Sequence, residues 1–273
     1  MKKSKFLVLC LVLLVVALSI SILVACDKGT DGNTNGKTPP NSGGKLLNGT
    51  FDGMVIKNGI LTEYNGSATE LVIPNGVSEI AYGAFNNAEN LLRVTIPDSV
   101  TRIDEFAFSG CANLQYEEYG NAKYLGNHLI KAVKEDITTV DIRQSTKTIA
   151  DGAFCYCRDL TSVTIPDSVT SIDEWAFSYC SGLTSVTIPD SVASIGSSAF
   201  LGCSNLKNVF YKGGVEQWNK ITIGSDNSFL TGATRYYYSE SEPALNESGT
   251  AYLGDYWHYA ADGVTPVIWK KEN

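Results

Sequence analysis

The chain has 273 residues, 44% of them hydrophobic, which is enough to bury a core, and a formal charge of -8. Basic residues never gather beyond the pairs Lys2-Lys3 and Lys270-Lys271. A phosphate-binding surface needs clustered Lys and Arg, so the composition argues against nucleic-acid partners.

In chain order, Lys2, Lys3 and Lys5 come first, followed by an apolar run from Phe6 to Ala25 broken only by Ser19 and Ser21. A basic head before an apolar stretch is the pattern of a secretory signal. About twenty apolar residues would also span a bilayer as a permanent helix. Leu23-Val24-Ala25-Cys26 favours the first reading. It resembles the bacterial lipobox, in which small residues precede a cysteine that is lipidated and becomes the new N-terminus. Residues 1–25 are thus expected to be a lipoprotein signal peptide, and Cys26 the lipidation site. Two acyl chains on that cysteine suffice for stable anchoring. Either reading puts the body outside the cytoplasm, on the extracellular face of the envelope. Without the three lysines, 18 basic residues face 29 acidic ones, a balance of -11.

Residues 26–47 are expected to form a tether. Asp27 to Gly44 is Gly, Asn, Thr, Pro, Ser and Lys, which cannot bury a core and reaches about 25 Å as a coil. Over 48–67, short alternating runs flank Lys57-Asn58-Gly59, a hairpin signal that predicts an N-terminal β cap.

A 23-residue period then takes over. Leu160 to Gly182 reads LTSVTIPDSVTSIDEWAFSYCSG and Leu183 to Asn205 reads LTSVTIPDSVASIGSSAFLGCSN. Leu91 to Asn113 repeats the same frame. The register holds at Pro74, Pro97, Pro166 and Pro189, and at Ile80, Ile103, Ile149, Ile172 and Ile195. It holds again at Phe85, Phe108, Phe154, Phe177 and Phe200, each after an alanine, and at Cys111, Cys157, Cys180 and Cys203. Val163-Thr164-Ile165 alternates as a half-buried strand does. Pro166 ends it by removing a backbone donor, and Asp167-Ser168 turns the chain. One coil cannot bury this much apolar surface alone, so stacked neighbours must share a core. The fold class predicted is mainly β: a solenoid of 23-residue coils over 68–211, six or seven in number, capped by β structure at both ends.

One slot, Gln115 to Ile137, lacks the IP, AF and C marks. It is read as a degenerate coil whose return side is replaced by a protruding hairpin, with its turn at Gly126-Asn127. Glu117-Glu118-Tyr119 falls where the strand belongs. After Tyr211 the character changes. Trp218, Tyr236-Tyr237-Tyr238, Tyr256-Trp257-His258-Tyr259 and Trp269 predict an aromatic cap over 212–273.

The frame L-x-x-V-x-I-P-x-x-V-x-x-I-x-x-x-A-F-x-x-C resembles the treponemal-type leucine-rich repeat of BspA-like surface proteins, over about Ala68 to Tyr211. The resemblance implies a curved solenoid on a bacterial surface and an association with adhesion and host or matrix protein binding. It carries no shared catalytic residues. The degenerate slot and the aromatic tail lie outside it.

No catalytic constellation emerges. His128 and His258 stand apart from metal-ligating or nucleophile spacings, and solvated or cap-packing roles are expected of them. Neighbouring cysteines on the ladder come within disulfide range, but they point inward at a place where Ala88 also fits, so buried thiols are expected. Cys155-x-Cys157 is not a redox or zinc spacing. Asp98, Asp167 and Asp190 offer one carboxylate per turn, which is turn chemistry rather than calcium binding. The place before Ala-Phe varies (Gly83, Phe106, Gly152, Trp175, Ser198), as does the place before the cysteine (Asn87, Gly110, Tyr156, Tyr179, Gly202). Variation suggests that both point outward, where Trp175, Tyr156, Tyr179 and Phe106 become candidate partner-binding residues. A second candidate face is the outward ribbon of the strands: Val72, Thr95, Glu118, Asp141, Thr164 and Thr187.

The expectation is a non-enzymatic, monomeric protein-binding or adhesion module on the bacterial surface. It needs no cofactor or metal and is held to the membrane by its lipid. The partner is a host matrix protein or bacterial surface protein. The alternative is a lipoprotein that captures a glycan or solute on exposed aromatics such as Trp175, Trp257 or Trp269.

Overall fold

A computed structural model describes residues 47–271. Residues 1–46, with the signal, Cys26 and most of the tether, lie outside them. The described residues form a mainly β solenoid of about nine turns at roughly 23-residue spacing. The consensus marks gave six or seven. Segments that carry no such marks join both ends of the stack.

At the start, β1 (Gly49–Phe51), β2 (Met54–Lys57) and β3 (Ile60–Tyr64) form an antiparallel meander. Asn58 and Gly59 both have positive φ at the turn, as a two-residue hairpin turn requires. Leu47, Met54, Ile56 and Leu61 then seal the first coil with apolar side chains.

Each regular coil contributes two short strands. The V-x-I strands are β4 (Glu70–Val72), β6 (Arg93–Thr95), β12 (Ser162–Thr164), β14 (Ser185–Ile188) and β16 (Asn208–Tyr211). The S-I strands are β5 (Glu79–Ile80), β7 (Arg102–Ile103), β11 (Thr148–Ile149), β13 (Ser171–Ile172) and β15 (Ser194–Ile195). Neighbouring coils pair parallel and in register: Val163 with Val186, Ile149 with Ile172, Ile172 with Ile195. Because the repeat length is constant, identical residues stack upon one another. Phe85 lies on Phe108 (5.0 Å between centroids), Phe154 on Phe177 (5.2 Å) and Phe177 on Phe200 (5.2 Å). Each buried ring contributes roughly 2–3 kcal/mol by removal from water.

Among the described residues the cysteines are free thiols, four buried and Cys155 half-buried. The ladder position explains itself in hydrogen bonds. The Sγ of Cys111, Cys180 and Cys203 each donates to a phenylalanine carbonyl of the preceding coil, those of Phe85, Phe154 and Phe177, at 3.1 Å.

The degenerate slot differs from its expectation in two ways. First, β8 (Glu117–Tyr119), β9 (Ala122–Leu125) and β10 (His128–Ala132) form an antiparallel meander, and β8 pairs with β9 rather than with β6. Second, the hairpin turns at Gly126-Asn127 but does not protrude. Ala122, Tyr124, Leu125, His128 and Leu129 are buried, and β10 pairs parallel with β11 as an ordinary rung would. The apolar faces of the hairpin strands fill the core that an I-P and A-F coil would have filled.

After β16 the chain runs through α1 (Val215–Trp218), β17 (Thr222–Ile223) and α2 (Ser228–Gly232). β18 (Thr234–Tyr238) and β19 (Tyr256–Tyr259) extend the V-x-I ladder, and β20 (Pro266–Ile268) closes it antiparallel. Trp257 is fully buried and donates its Nε1–H to Tyr211 O at 2.9 Å. The tail also changes the outward ribbon. Phe210 occupies the outward register beside Thr187 and packs on Tyr236 and Trp257. Thr187, expected to be exposed, is therefore buried, whereas Val72, Thr95, Glu118, Asp141 and Thr164 are exposed.

Candidate binding surface

The two variable places share a backbone conformation. Phe106, Trp175 and Ser198 have φ of 57, 58 and 58°, beside Gly83 at 62° and Gly152 at 63°. Before the cysteine, Asn87, Tyr156 and Tyr179 have 58, 64 and 56°, beside Gly110 at 70° and Gly202 at 72°. The coil must turn left-handed at both places. Glycine does this without penalty, whereas a residue with a Cβ is strained by roughly 1–2 kcal/mol. Rings at these places are thus not what the backbone prefers. Strain of this kind tends to collect where function requires a particular side chain.

All four candidate rings are exposed by a third to a half. Tyr156 and Tyr179 stack at 5.0 Å with planes 3° apart, and the Arg158 guanidinium lies 5.6 Å from the Tyr156 ring. Phe106, Tyr156 and Trp175 line a single cleft of about 870 Å³. Tyr179 is outside its lining and joins it through Tyr156. Ser198 departs from the expected outward pattern: it is buried, with its N–H donated to Ser225 O in the next turn.

The cleft exists because the degenerate coil has no phenylalanine. Counting back 23 from Phe154 gives Lys131. However, β10 carries a one-residue irregularity between Leu129 and Lys131, which moves the register. Ala132 N–H donates to Ala153 O, as Phe154 N–H donates to Ala176 O one coil on. A methyl group thus stands where a ring belongs. Lys131 turns out over Tyr116, its Nζ 5.0 Å from the ring centre. The phenylalanine stack is interrupted there, and the buried core divides into two clusters around this coil.

On the opposite wall the S-I edge of the Phe106 coil reaches past the hairpin. Asp151 N–H donates to Ile103 O at 3.0 Å, one residue beyond the regular rung, in which Ala150 N–H donates to Leu129 O and Asp173 N–H to Ile149 O. Ile103 N–H donates to Asp173 Oδ2 (3.2 Å), Ser171 Oγ to Thr101 O (2.8 Å) and Glu105 N–H to Asp151 Oδ2 (3.3 Å). Arg102 is held between Asp104 (2.6 Å) and Glu174 (3.5 Å). Burial pushes the Asp173 carboxyl up to about 8 and the Asp151 carboxyl up to about 7, against their hydrogen bonds from Ile103 and Glu105 N–H.

The remaining expected roles fall as follows. His128 is neither solvated nor in a cap. It is wholly buried, its Nδ1 lies 3.0 Å from Thr148 Oγ1, and burial lowers its pKa to about 4. His258 packs in the tail, 4.2 Å from the Trp269 ring. Asp167 pairs with Lys212 at 2.6 Å and Asp98 accepts from Asn127. Among the described residues no group of three His, Cys, Asp or Glu side chains is arranged for a metal ion. Several cleft residues escaped sequence reasoning: Tyr116, Lys131, Glu105 and Asp151. Glu105 and Asp151 share one place of the 23-residue register with Glu174, but their meeting with Tyr116 and Lys131 in one cleft depends on the register slip. Tyr82 escaped too. It is exposed and meets Phe106 edge to face at 5.8 Å.

The sequence pattern of the BspA type leucine rich repeat region matches residues 56–131 and 123–229, in six copies. The match thus spans the degenerate slot and runs beyond both Ala68 and Tyr211. No curated protein matches. Among solved structures, a leucine-rich repeat protein of Treponema pallidum is 29% identical over 64% of this chain and 71% of its own, with a TM-score of 0.28. A leucine-rich cell surface protein of Faecalibacterium prausnitzii is 24% identical, with a TM-score of 0.32; the match covers 56% of this chain and 62% of that one. A leucine-rich repeat protein of Eubacterium ventriosum is 23% identical over 66% of this chain and 46% of its own, with a TM-score of 0.37.

Proposed function

This chain belongs to the BspA-type leucine-rich repeat family, and from that premise we propose that it is a non-catalytic module that binds a protein partner at the bacterial surface. The carrying observation is the placement of Phe106, Tyr156, Trp175 and Tyr179 at left-handed positions where other coils use glycine. Half-exposed aromatic rings on a rigid scaffold suit recognition, because they offer large contact area with little entropy to lose. The partner is a host matrix or bacterial surface protein, and adhesion is the role proposed.

The test is capture of proteins from matrix extract and from bacterial surface extract, comparing the native chain with Trp175→Ala/Tyr179→Ala. Loss of specific capture by the variant supports the reading, and equal capture removes it. The alternative, a glycan captured in the cleft, draws on the concave aromatic lining and is read on a glycan array.

The anchor belongs to the same proposal. The LVAC sequence supports lipidation at Cys26. Labelling of growing cells with an alkyne fatty acid should mark the native chain and leave Cys26→Ala unmarked.

A further inference from the structure

Resting on the protein-binding reading, we propose that the cleft recognises an arginine side chain of the partner, seated between Phe106 and Trp175 above Gly152. The shape argument begins with the rungs. Gly152 N–H donates to Glu174 O and Asp151 N–H to Ile103 O, so the turn bearing Gly152 touches both the coil of Trp175 and the coil of Phe106. The three residues share one place in the repeat and all have positive φ. Phe106 and Trp175 line one cleft, and at Gly152 a hydrogen atom stands where they carry rings. An opening flanked by two rings accepts a planar group stacked on them, which is how a guanidinium meets aromatic faces.

The charge argument is independent of the shape. Of the carboxylates on this wall, Asp104 is held by Arg102. Glu105 lines the cleft, is exposed, and has no ion pair or side-chain hydrogen bond. Asp151 also lines the cleft. Its Oδ2 accepts from Glu105 N–H, while its buried Oδ1 accepts from nothing. Gly152 touches both sides of the slot. Its N–H donates to Glu174 O, beside Trp175, and a Cβ built on it would lie 3.9 Å from Glu105 Cγ. The unused acceptors therefore border the slot between the rings. The cations of the opposite wall do not compete for them: Lys123 is paired with Glu118 and Lys131 lies over Tyr116. A cation is drawn toward the Glu105 side, and the acidic chain favours a basic partner before contact.

The experiment titrates the full chain, by calorimetry, with blocked heptapeptides that differ only at the central residue: arginine, citrulline, lysine or glutamate. Neutral oligosaccharides form a parallel series. The arginine peptide is expected to bind saturably and at least about tenfold more tightly than its citrulline counterpart, which has the same shape without the charge. Glu105→Gln, at an exposed side chain, should remove that preference while the fold, checked by circular dichroism, is unchanged. Gly152→Asn should block the slot, since Asn87 shows that asparagine is accepted at the other left-handed place of the repeat. Equal binding of the arginine and citrulline peptides overturns the proposal. So does indifference to Glu105→Gln, saturable binding of a saccharide but no peptide, or no saturable binding at all. If Trp175→Ala/Tyr179→Ala abolishes capture of a protein partner while the arginine preference is absent, the aromatic face stands and only this inference falls.

Discussion

Tyr156 lies flat on Tyr179, ring on ring at 5.0 Å and 3°, although each residue holds a backbone conformation that its own Cβ disfavours. Stacking of this kind contributes about 0.5–1.5 kcal/mol beyond burial, comparable to the strain at one of the two residues.

Tyr179→Gly loses the stack and relieves the strain, so its stability should fall within about 1 kcal/mol of native. Tyr179→Ala loses the stack and keeps the Cβ. It should be less stable than the glycine variant by about 1 kcal/mol. Urea denaturation of both measures the difference, and an alanine variant at least as stable as the glycine one would contradict the strain argument.

Gly202 sits beneath Tyr179. A Cβ there would meet Tyr179 Cδ1 at 2.7 Å, and its φ is +72°. Gly202→Ala should therefore destabilise the chain by about 1–2 kcal/mol. Part of that penalty should vanish in a Tyr179→Gly background, because the ring that is struck is gone. Strictly additive melting shifts would show that the contact plays no part.

Phe177 is the middle ring of its stack, between Phe154 and Phe200. Phe177→Ala removes partners from both neighbours and leaves a cavity, with an expected loss of about 3–5 kcal/mol. A loss under about 1 kcal/mol, read from urea midpoints, would mean that the stack is not a continuous core.

The seam at Asp151 and Asp173 makes stability depend on pH in a definite direction. Both carboxyls have folded pKa values raised, to about 7 and about 8, above an unfolded value near ~3.9. The folded state thus binds more protons than the unfolded one over that interval, so stability falls as pH rises. The contribution is fully present below about pH 4 and is lost as pH passes through about 7 and about 8. The nearby Asp104 and Glu174 charges act in the same sense as burial on Asp151, and Arg102 opposes them. Urea midpoints should decline from pH 5 to pH 9, and Asp173→Asn should flatten the decline. Midpoints that rise over this range would refute the assignment.

The regular coils were legible in advance because every residue of a copy answers to the same residue 23 places on. The candidate rings were legible for a related reason. A place that accepts Gly83, Phe106, Gly152, Trp175 and Ser198 is not a place the core specifies. What could not be read was that glycine is the unstrained choice there, since φ is a property of the folded turn. Nor was the hairpin's course legible. Its apolar strands read equally well as a protrusion, and burial of His128 follows only from its packing against Thr148.

From the sequence alone comes the solenoid. Constant repeat length forces like residues into stacked registers, and no single coil can bury its own apolar face. The tertiary structure decided where the stack is interrupted. A one-residue irregularity in β10 sets Ala132 in place of a ring, and Ile103 bonds to Asp151 and Asp173 across 48 and 70 positions. Contacts of that separation leave no mark in local pattern. They nevertheless bring Phe106, Tyr156 and Trp175 to one cleft.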